Sequence, residues 1–405
     1  MEIKNNKLYF NKISAEQIAK KYGTPVYVYE AATIWERYKS LVDHIQYPHL
    51  RIHYAAKANA NPAILKIIKS LGGGIEAVSK GKIEAALKVG FKPEQIIYTC
   101  NGAEKSELQY IIDKGIRINI DSLEQLETWG QLNPNSKVSL RLNLDIGAGS
   151  HIYVTTGGQK SKFGIHISNI KNAKKIANKY NLTIAGIHQH IGSGVLNYTV
   201  VIRAMKALMK VAHQFGDLEF IDFGGGFGVP YKPDQKPFDT KAFGQAFDKT
   251  INKFVKEYGK ELEVIIEPGR YLVAESGVLL AKVTDIKSNP SRTFVSINTG
   301  LNHLIRQAMY FAYQKVSNAS HPKNKRKKVT IVGNICESAD IFAEDRMIAT
   351  PKKGDLIAIH DSGAYGYTMS SFYNARVRPP EVLIDKGKSR LIRKRQNLED
   401  ALPFF

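Results

Sequence analysis

Lys57 is the residue in this sequence whose chemistry is easiest to name. It follows the apolar run Arg51 to Ala56, which is predicted to be a strand, within the segment HYAAKANAN. A lysine amine can condense with an aldehyde once it is held in place and partly removed from water. Most lysines are surface charges, so it is the strand-end position that favours a catalytic role.

A glycine run, GGGFG at 224–228, follows another predicted strand. In a tight turn, backbone N–H groups without side chains allow an anion to approach closely. The next predicted strand ends in Glu267, Pro268, Gly269 and Arg270, and loops after strands seven and eight of α/β barrels often bind phosphate. The two segments together predict a phosphate cradle. A flexible turn and a Glu267–Arg270 salt bridge are the structural alternatives.

Two histidines precede a further glycine-containing turn, in HQHIGSG at 188–194. His190 could lie flat on an aromatic ring, Ser193 could hold a phosphate, and His188 lies on the same strand face as His190. A core imidazole is the alternative for either histidine. A lysine, a phosphate cradle, a stacking histidine and an acid such as Glu267 together indicate pyridoxal phosphate, whose protonated pyridine nitrogen needs a carboxylate partner.

The elements that position these residues alternate between strands and helices. Short apolar runs predict eight strands, near 51–56, 75–78, 96–99, 116–120, 137–143, 184–190, 218–222 and 262–266. Longer amphipathic runs predict helices between them, for example 61–71, 80–89 and 197–215. Eight alternating units imply a closed parallel barrel, in which chemistry occurs at the C-terminal strand ends.

Strand-like runs without regular helices follow Arg270 and predict a second domain. They cover 271–274, 278–283, 293–297, 329–332, 356–360 and 381–384, and similar runs occur at 7–9 and 25–29. The predicted fold class is α/β, a (β/α)8 TIM-like barrel with a C-terminal, mainly β domain of β-sandwich or Greek-key type. The barrel is placed at 36–275, and 1–35 plus 276–405 form the β domain.

Composition excludes several classes of function. The chain of 405 residues is long enough for two domains with full cores, and Cys100 and Cys336 are too few for a disulfide framework. The net charge of +21 could favour nucleic acid, but the lysines are dispersed, the run KNKRKK at 323–328 is predicted to be an exposed loop, and no nucleic-acid motif is present. We expect a surface that attracts anionic substrates.

No apolar run is long enough to span a bilayer, and the opening MEIKNNKLYF lacks the apolar region of a signal peptide. The sequence therefore predicts a cytoplasmic protein with no membrane partner.

Seven motifs resemble, in the same order, the pyridoxal-phosphate-dependent decarboxylases with an alanine-racemase-like barrel (fold type III), and among them the branch that acts on diaminopimelate. They are YAAKAN (54–59), HQHIGSG (188–194), GGG (224–226), EPGR (267–270), LNHLIRQAMY (301–310), CESAD (336–340) and GAYGYTMSSFYNAR (363–376). The resemblance covers nearly the whole chain, and the last four motifs are the most specific.

This resemblance implies a role for each matching residue. Lys57 would hold the cofactor aldehyde, His190 would stack on its ring, and Glu267 would pair with the pyridine nitrogen. The phosphate or substrate would be surrounded by Ser193, Gly225, Gly226, Arg270 and Tyr365. Arg306 and Tyr310, one turn apart if that stretch is helical, match residues that bind the distal carboxylate, which suits the fork of an arginine.

The CES segment resembles one that crosses a homodimer interface into the partner's active site. Cys336 would then lie near the reacting carbon and Glu337 near the distal amino group, although a free cysteine is more often a small buried hydrophobe. The implied reaction is decarboxylation of meso-2,6-diaminopimelate to L-lysine and carbon dioxide, the last step of lysine biosynthesis. Either Cys336 or Lys57 would deliver the proton that replaces the carboxylate.

Some residues depart from the family pattern. Phe311 is bulky where a glycine is more usual, Glu76 replaces an aspartate, Lys82 replaces a glutamate, and Asn298 replaces an aspartate. None of these changes removes a group that the chemistry requires. The Gly-, Ser- and Thr-rich stretch 147–163 could be a mobile lid or an ordinary surface insertion.

Two other functions stay open. A decarboxylase of the same fold could act on lysine, ornithine or arginine, but a substrate with a cationic tail and no distal carboxylate has no use for Arg306. An inactive regulatory homologue is the second alternative, and the presence of Lys57, His190, Glu267 and Cys336 together argues against it.

Overall fold

The computed structural model describes residues 1–149, 151 and 156–402. Two compact units make up this part of the chain. The barrel unit comprises Arg37–Val229 and Lys236–Tyr271, and the β unit comprises Met1–Glu36, Pro230–Gln235 and the chain from Leu272 onward.

A closed ring of eight parallel strands forms the centre of the barrel unit. Numbered one to eight in chain order, they are Leu50–Ala55, Gly74–Ala77, Ile96–Thr99, Arg117–Ile120, Lys137–Asn143, Thr183–His188, Phe220–Asp222 and Glu263–Ile266. Strand eight pairs in parallel with strand one, Val264 opposite Leu50, and this pairing closes the ring. The short strand Ile165–His166 pairs with strand five. The predicted TIM-like barrel is confirmed, and every predicted barrel strand overlaps an observed one.

A helix follows each barrel strand. The helices are Pro62–Ser70, Lys80–Val89, Lys105–Asp113, Leu123–Leu132, Ile170–Lys179, Tyr198–Ala212, Thr240–Tyr258 and Arg270–Val273. Several begin at a capping side chain: Asn61 accepts the N–H of Ala63 at 3.0 Å, and Asp239 accepts the N–H of Ala242 at 2.9 Å. Such caps satisfy N–H groups that have no partner inside the helix, so they fix where the helix starts.

Strands dominate the β unit. They are Glu2–Lys4, Lys7–Phe10, Ile13–Ser14, Val26–Glu30, Gly277–Ser288, Thr293–Ile297, Val316–Asn318, Arg326–Val332, Ile341–Ala349, Leu356–Ile359, Glu381–Asp385 and Lys388–Arg393. Gly277–Ser288 is central, because it pairs antiparallel with Val26–Glu30, Thr293–Ile297 and Leu356–Ile359. The predicted mainly β second region, with a strand from the start of the chain, is confirmed.

Four further helices complete the described elements: Ala15–Tyr22, Ala31–Val42, Arg306–Tyr310 and Leu398–Ala401. None of the helices in the described ranges is long and apolar enough to cross a bilayer.

Two predictions of local structure are wrong. The run 271–274 is not a strand, because Arg270–Val273 is a helix and Ala274–Ser276 is a 3₁₀ turn; a short apolar run fits a strand and a buried helical turn equally well. The run 323–328 is largely exposed as predicted, but its second half begins the strand Arg326–Val332. Backbone pairing with Ile341–Ala349 holds that strand while its first side chains face solvent.

Candidate active site

Lys57 and Glu76 form an ion pair at the C-terminal ends of strands one and two. Nζ of Lys57 donates to Oε2 of Glu76 at 2.8 Å. The Glu76 side chain is 1% exposed, whereas that of Lys57 is 34% exposed. Burial raises the pKa of Glu76, and the charge of Lys57 opposes that rise. The pair holds the lysine amine in place while part of it stays accessible.

Lys57 lines a cavity of about 220 Å³ within the barrel unit. The lining comes from strand ends around the ring and consists of Lys57, Glu76, Val78, Thr99, Cys100, Asn101, Arg141, Thr156, Phe163, His188, His190 and Glu267. Three predicted site residues, Lys57, His190 and Glu267, therefore meet at one cavity. Arg141 was missed because no motif singles it out; its buried ion pair with Asp121, at 3.0 Å, depends on pairing between strand neighbours.

Glu267, His188 and Asp222 form a buried polar cluster at the ends of strands six to eight. One polar atom of each lies within 4.8 Å of those of the other two, and Oε2 of Glu267 is 3.2 Å from Nε2 of His188. Burial lowers the pKa of His188. Burial alone would raise the pKa of Glu267, but the contact with His188 and the charge of Lys57 hold it below its usual range. Glu267 is thus an ionised acid beside the cavity.

Three atoms of this cluster, Oε1 of Glu267, Oδ2 of Asp222 and Nδ1 of His188, meet no hydrogen-bonding partner among the described residues. Buried polar atoms of that kind are rare in folded proteins and call for a specific explanation. A bound ligand or a proton shared between two of these groups would supply one. His188, which the sequence left undecided between core and function, contacts the predicted acid directly.

His190 is held as a neutral imidazole. Its Nδ1 accepts the N–H of Gly225 at 3.1 Å. Burial lowers the pKa of His190 well below its ordinary value, and Lys57 and Arg141 lower it further. An accepting Nδ1 and a low pKa both place the ring proton on Nε2.

The glycine loop after strand seven requires glycine at successive positions. Gly224 has φ +65°, and a Cβ there would lie 2.2 Å from the carbonyl oxygen of Gln189; at Gly225 it would lie 2.1 Å from that of Glu267. Phe227 anchors the loop, since its ring packs edge-on against Phe238 and Phe243 with centroids 5.3 and 5.4 Å apart. The loop backbone therefore lies directly against the ends of strands six and eight.

Arg270 and Ser193, both predicted for phosphate or substrate, contact each other. Nε and Nη2 of Arg270 each donate to Oγ of Ser193 at 3.1 Å. The arginine is buried, so its charge has a fixed position. A guanidinium beside a hydroxyl is a suitable donor pair for an anion.

Parts of the predicted lid also line the cavity. Residues 150 and 152–155 lie outside the described residues, so the lid itself stays a prediction. Oγ1 of Thr156 donates to the carbonyl oxygen of His190 at 3.1 Å, and the ring of Phe163 lies 4.6 Å from the guanidinium carbon of Arg141. Composition alone gave no sign of these two contacts.

Arg306 and Tyr310 lie in the β unit, one turn apart on the helix Arg306–Tyr310, as predicted. Arg306 is buried; its Nη1 donates to Oε1 of Gln314 at 2.9 Å, and its guanidinium carbon lies 4.3 Å from the ring centroid of Tyr231. Phe311 follows the helix with φ +50° and an 89% exposed side chain. Within the β unit, Phe311 therefore faces solvent.

The CES segment is an exposed loop of the β unit. Cys336 is exposed, so its interpretation as a small buried hydrophobe is wrong. Glu337 accepts a hydrogen bond from the hydroxyl of Tyr373. The carboxylate of Asp340 anchors the loop, because it accepts the N–H groups of Leu301 and Ile335, each at 2.7 Å. Tyr365, also in the β unit, is half-buried, and its backbone adopts the left-handed conformation with φ +57°.

The groups in the barrel unit fit pyridoxal phosphate. Lys57 offers an accessible amine, and Glu267 offers an ionised oxygen that has no partner in the part of the chain that the structure describes. Gly224 and Gly225 have no room for a side chain, so their backbone lies close to the ends of strands six and eight, and Ser193 with Arg270 offers donors for an anion. An aldehyde, a basic ring nitrogen and a phosphate would each find a chemical complement here.

A family profile agrees with this chemistry. The family described as "Pyridoxal-dependent decarboxylase, pyridoxal binding domain" matches residues 31–274. A curated relative, the diaminopimelate decarboxylase of Methanothermobacter thermautotrophicus, is 39% identical over 398 residues, which cover 96% of this chain and 93% of the relative.

Solved structures of pyridoxal-dependent decarboxylases are also similar to this chain. The crystal structure of diaminopimelate decarboxylase from Helicobacter pylori complexed with L-lysine has a TM-score of 0.90 and 32% identity, and the match covers 96% of this chain and 98% of that one. The lysine/ornithine decarboxylase of Vibrio vulnificus, complexed with cadaverine, has a TM-score of 0.80 at 20% identity, with 91% and 95% covered, and shares the fold alone.

Proposed function

The chain belongs to the pyridoxal-dependent decarboxylases, and from that premise we propose that it converts meso-2,6-diaminopimelate to L-lysine and carbon dioxide, the last step of lysine biosynthesis. The observation that carries the proposal is the meeting of Lys57, Glu76, His190 and Glu267 at one cavity of the barrel. Similarity to diaminopimelate decarboxylases over nearly the full length of both chains supports the substrate.

Lys57 binds the cofactor. Pyridoxal phosphate, when bound, supplies an electron sink for the pair of electrons that remains as the α-carboxylate leaves. The accessible amine of Lys57 would hold the cofactor through its aldehyde, and Glu76, 2.8 Å away, positions that amine. The longer side chain of Glu76, compared with the aspartate usual in the family, is long enough for this contact.

Glu267 and His190 hold the ring. The ionised Glu267 would hold the pyridine nitrogen in its protonated form, which is the condition for the ring to accept electrons. The neutral imidazole of His190 would stack on the ring, and the N–H of Gly225 fixes the orientation of the imidazole.

The phosphate and the substrate share a second set of residues. As the family resemblance implies, Ser193, Gly225, Gly226, Arg270 and Tyr365 would surround the phosphate or the substrate. The hydrogen bonds from Arg270 to Ser193 support the assignment of these two residues to one anion site.

The distal end of the substrate is bound by Arg306, Tyr310 and Glu337. A guanidinium binds a carboxylate through two parallel hydrogen bonds, and Glu337 complements the distal ammonium group. The position of Arg306 and Tyr310 one turn apart on one helix supports a common role. The exposed thiol of Cys336 or the amine of Lys57 delivers the proton to the reacting carbon.

A cytoplasmic homodimer completes the proposal. The barrel unit, predicted from the sequence at 36–275, would bind the cofactor. The β unit, predicted at 1–35 plus 276–405, would contribute to the dimer interface and to the partner's active site. Exposure of Cys336 and Glu337 in the β unit supports this arrangement, because a loop that enters a partner's site lies on the surface of its own chain.

Carbon dioxide release by the purified protein with added pyridoxal phosphate tests the function. Meso-diaminopimelate, L-lysine, L-ornithine and L-arginine are compared in parallel, and turnover is expected with diaminopimelate alone. Turnover with a monocarboxylate alone would keep the cofactor and refute the substrate. Bound cofactor without turnover of any of the four would support the regulatory alternative.

A further inference from the structure

The buried charges at the mouth of the barrel leave one acid without a counter-charge. Lys57 pairs with Glu76, and Arg141 pairs with Asp121. Glu267 and Asp222 then share the single imidazole of His188. One imidazole, whose pKa burial lowers, cannot neutralise two carboxylates. A proton on one of the two acids removes the repulsion between two buried negative charges.

Asp222 is placed to be that acid. It ends strand seven and is fully buried, and its Oδ1 accepts the N–H of Gly224 at 2.8 Å. Among the residues that the structure describes, neither its Oδ2 nor Oε1 of Glu267 has a hydrogen-bonding partner. Two ionised carboxylates this close in a buried site repel each other, whereas one proton between them forms a hydrogen bond.

We propose that Asp222 is a positioning residue for Glu267: its neutral carboxyl donates from Oδ2 to Oε1 of Glu267, so that Glu267 is the ionised member of the pair. The inference rests on the proposed cofactor site, because the ionised Glu267 is the group that would face the pyridine nitrogen. Asp222 also connects Glu267 to the glycine loop through the N–H of Gly224.

The surrounding charges favour this distribution of the proton. Burial and the charge of Glu267 raise the pKa of Asp222 well above its ordinary value, while the contact with His188 and the charge of Lys57 lower that of Glu267 against the effect of burial. The titratable and charged groups that face the pair come from strands one, two, five and six and their loops. They are His53, Lys57, Glu76, Arg141, His188 and His190.

Infrared spectroscopy of the cofactor-free protein detects the proton directly. The carbonyl band of a protonated carboxylic acid is expected in the wild-type protein at neutral pH and is expected to be lost in Asp222→Asn. Asp121→Asn is the matched control, since Asp121 is also a buried strand-end acid but forms an ion pair with Arg141, and it should leave the band unchanged. A band that survives Asp222→Asn would overturn the proposal.

Cofactor affinity distinguishes a role of the hydrogen bonds of Asp222 from a role of its charge. The Asp222→Asn variant keeps both contacts, because the new amide N–H can donate to Glu267 and the amide oxygen can accept from Gly224. This variant should therefore bind pyridoxal phosphate within about threefold of wild type. Asp222→Ala removes both contacts and should weaken binding by about tenfold or more. Equal losses in the two variants would mean that the charge of Asp222 is required, and the proposal would be wrong.

A third measurement needs no variant. With ¹³C-labelled aspartate side chains, nuclear magnetic resonance should show one aspartate that stays protonated above the pKa of about 6 to which burial raises Asp340. Absence of that signal would refute the proposal even if Asp222→Asn failed to fold. None of these measurements uses substrate. A protein that carries the proton on Asp222 but releases no carbon dioxide would therefore refute the proposed function and leave this inference standing.

Discussion

Glu267 in the barrel unit and Asp340 in the β unit are both buried acids, 4% and 3% exposed, and their surroundings are opposite. Asp340 accepts the N–H groups of Leu301 and Ile335, each at 2.7 Å, and these bonds hold the loop that carries Cys336. Glu267 contacts His188 through one oxygen, and in the described ranges its other oxygen accepts no backbone N–H group.

The difference indicates which buried acid builds structure and which serves chemistry. A carboxylate whose oxygens are satisfied by backbone N–H groups stabilises a loop and has little capacity left for a ligand. A carboxylate beside a cavity that accepts no backbone N–H group does not stabilise a loop in this way and keeps capacity to bind a ligand. We therefore expect substitutions at the barrel site to affect turnover and substitutions around Asp340 to affect folding.

Among the substitutions at the barrel site, Lys57→Ala should have the largest effect on turnover. Turnover of meso-diaminopimelate should fall by about 10³-fold or more, because the amine that bonds to the cofactor is gone. Borohydride reduction followed by peptide mass analysis should locate the cofactor on the Lys57 peptide in the wild type and not in the variant. Lys66→Ala, an exposed position on Pro62–Ser70, is the control. Wild-type turnover by Lys57→Ala would refute its assignment.

Asp340→Ala should affect folding stability, not turnover. The N–H groups of Leu301 and Ile335 would lose their acceptor, and the free energy of unfolding should fall by about 2 kcal/mol. Urea denaturation measures the change, with the exposed Asp385→Ala as a control expected within about 0.5 kcal/mol of wild type. If Asp340→Ala were as stable as the control, the loop would not depend on these bonds.

His303 extends the comparison to a buried histidine. Both of its ring nitrogens have partners in the β unit, as both carboxylate oxygens of Asp340 do. Nδ1 contacts Oγ1 of Thr299 at 2.8 Å, and Nε2 donates to the carbonyl oxygen of Val377 at 3.0 Å. Burial lowers the pKa of His303 to about 4. Because the folded-state pKa lies below the unfolded value of about 6.5, its contribution is complete above pH 6.5 and is lost as pH falls toward 4.

Denaturation of wild type and His303→Gln between about pH 4 and 7 tests whether stability falls on acidification because of His303. The wild-type free energy of unfolding should decrease on acidification by at most about 1.4 kcal/mol per pH unit from this group, and the variant should show a smaller decrease. His213→Gln, at an exposed histidine, should keep the wild-type slope. An unchanged slope in His303→Gln would show that His303 is not the group responsible.

Much of the barrel could be predicted because its strands are short apolar runs and its chemistry follows them. Lys57, His190 and Glu267 are far apart in sequence, yet each ends or follows a barrel strand, and ring closure brings them to one cavity. The run 271–274 failed because four apolar residues carry no periodicity that separates helix from strand.

The pairing of buried charges could not be predicted from the sequence. Asp222 precedes the glycine run without any motif of its own, and its importance depends on the distance to Glu267, which pairing between strands seven and eight sets. Asp121 directly follows strand four and Arg141 lies in the neighbouring strand five, so their ion pair likewise requires the folded ring.

Glu267→Gln tests the central claim most directly. Wild type and variant are brought to the same cofactor occupancy, and carbon dioxide release from meso-diaminopimelate is measured. We predict that the variant folds and holds the cofactor on Lys57 while its turnover falls by about 10²-fold or more, because an amide cannot hold the pyridine nitrogen in its protonated form. Equal turnover at equal occupancy would show that Glu267 is only a buried structural acid like Asp340.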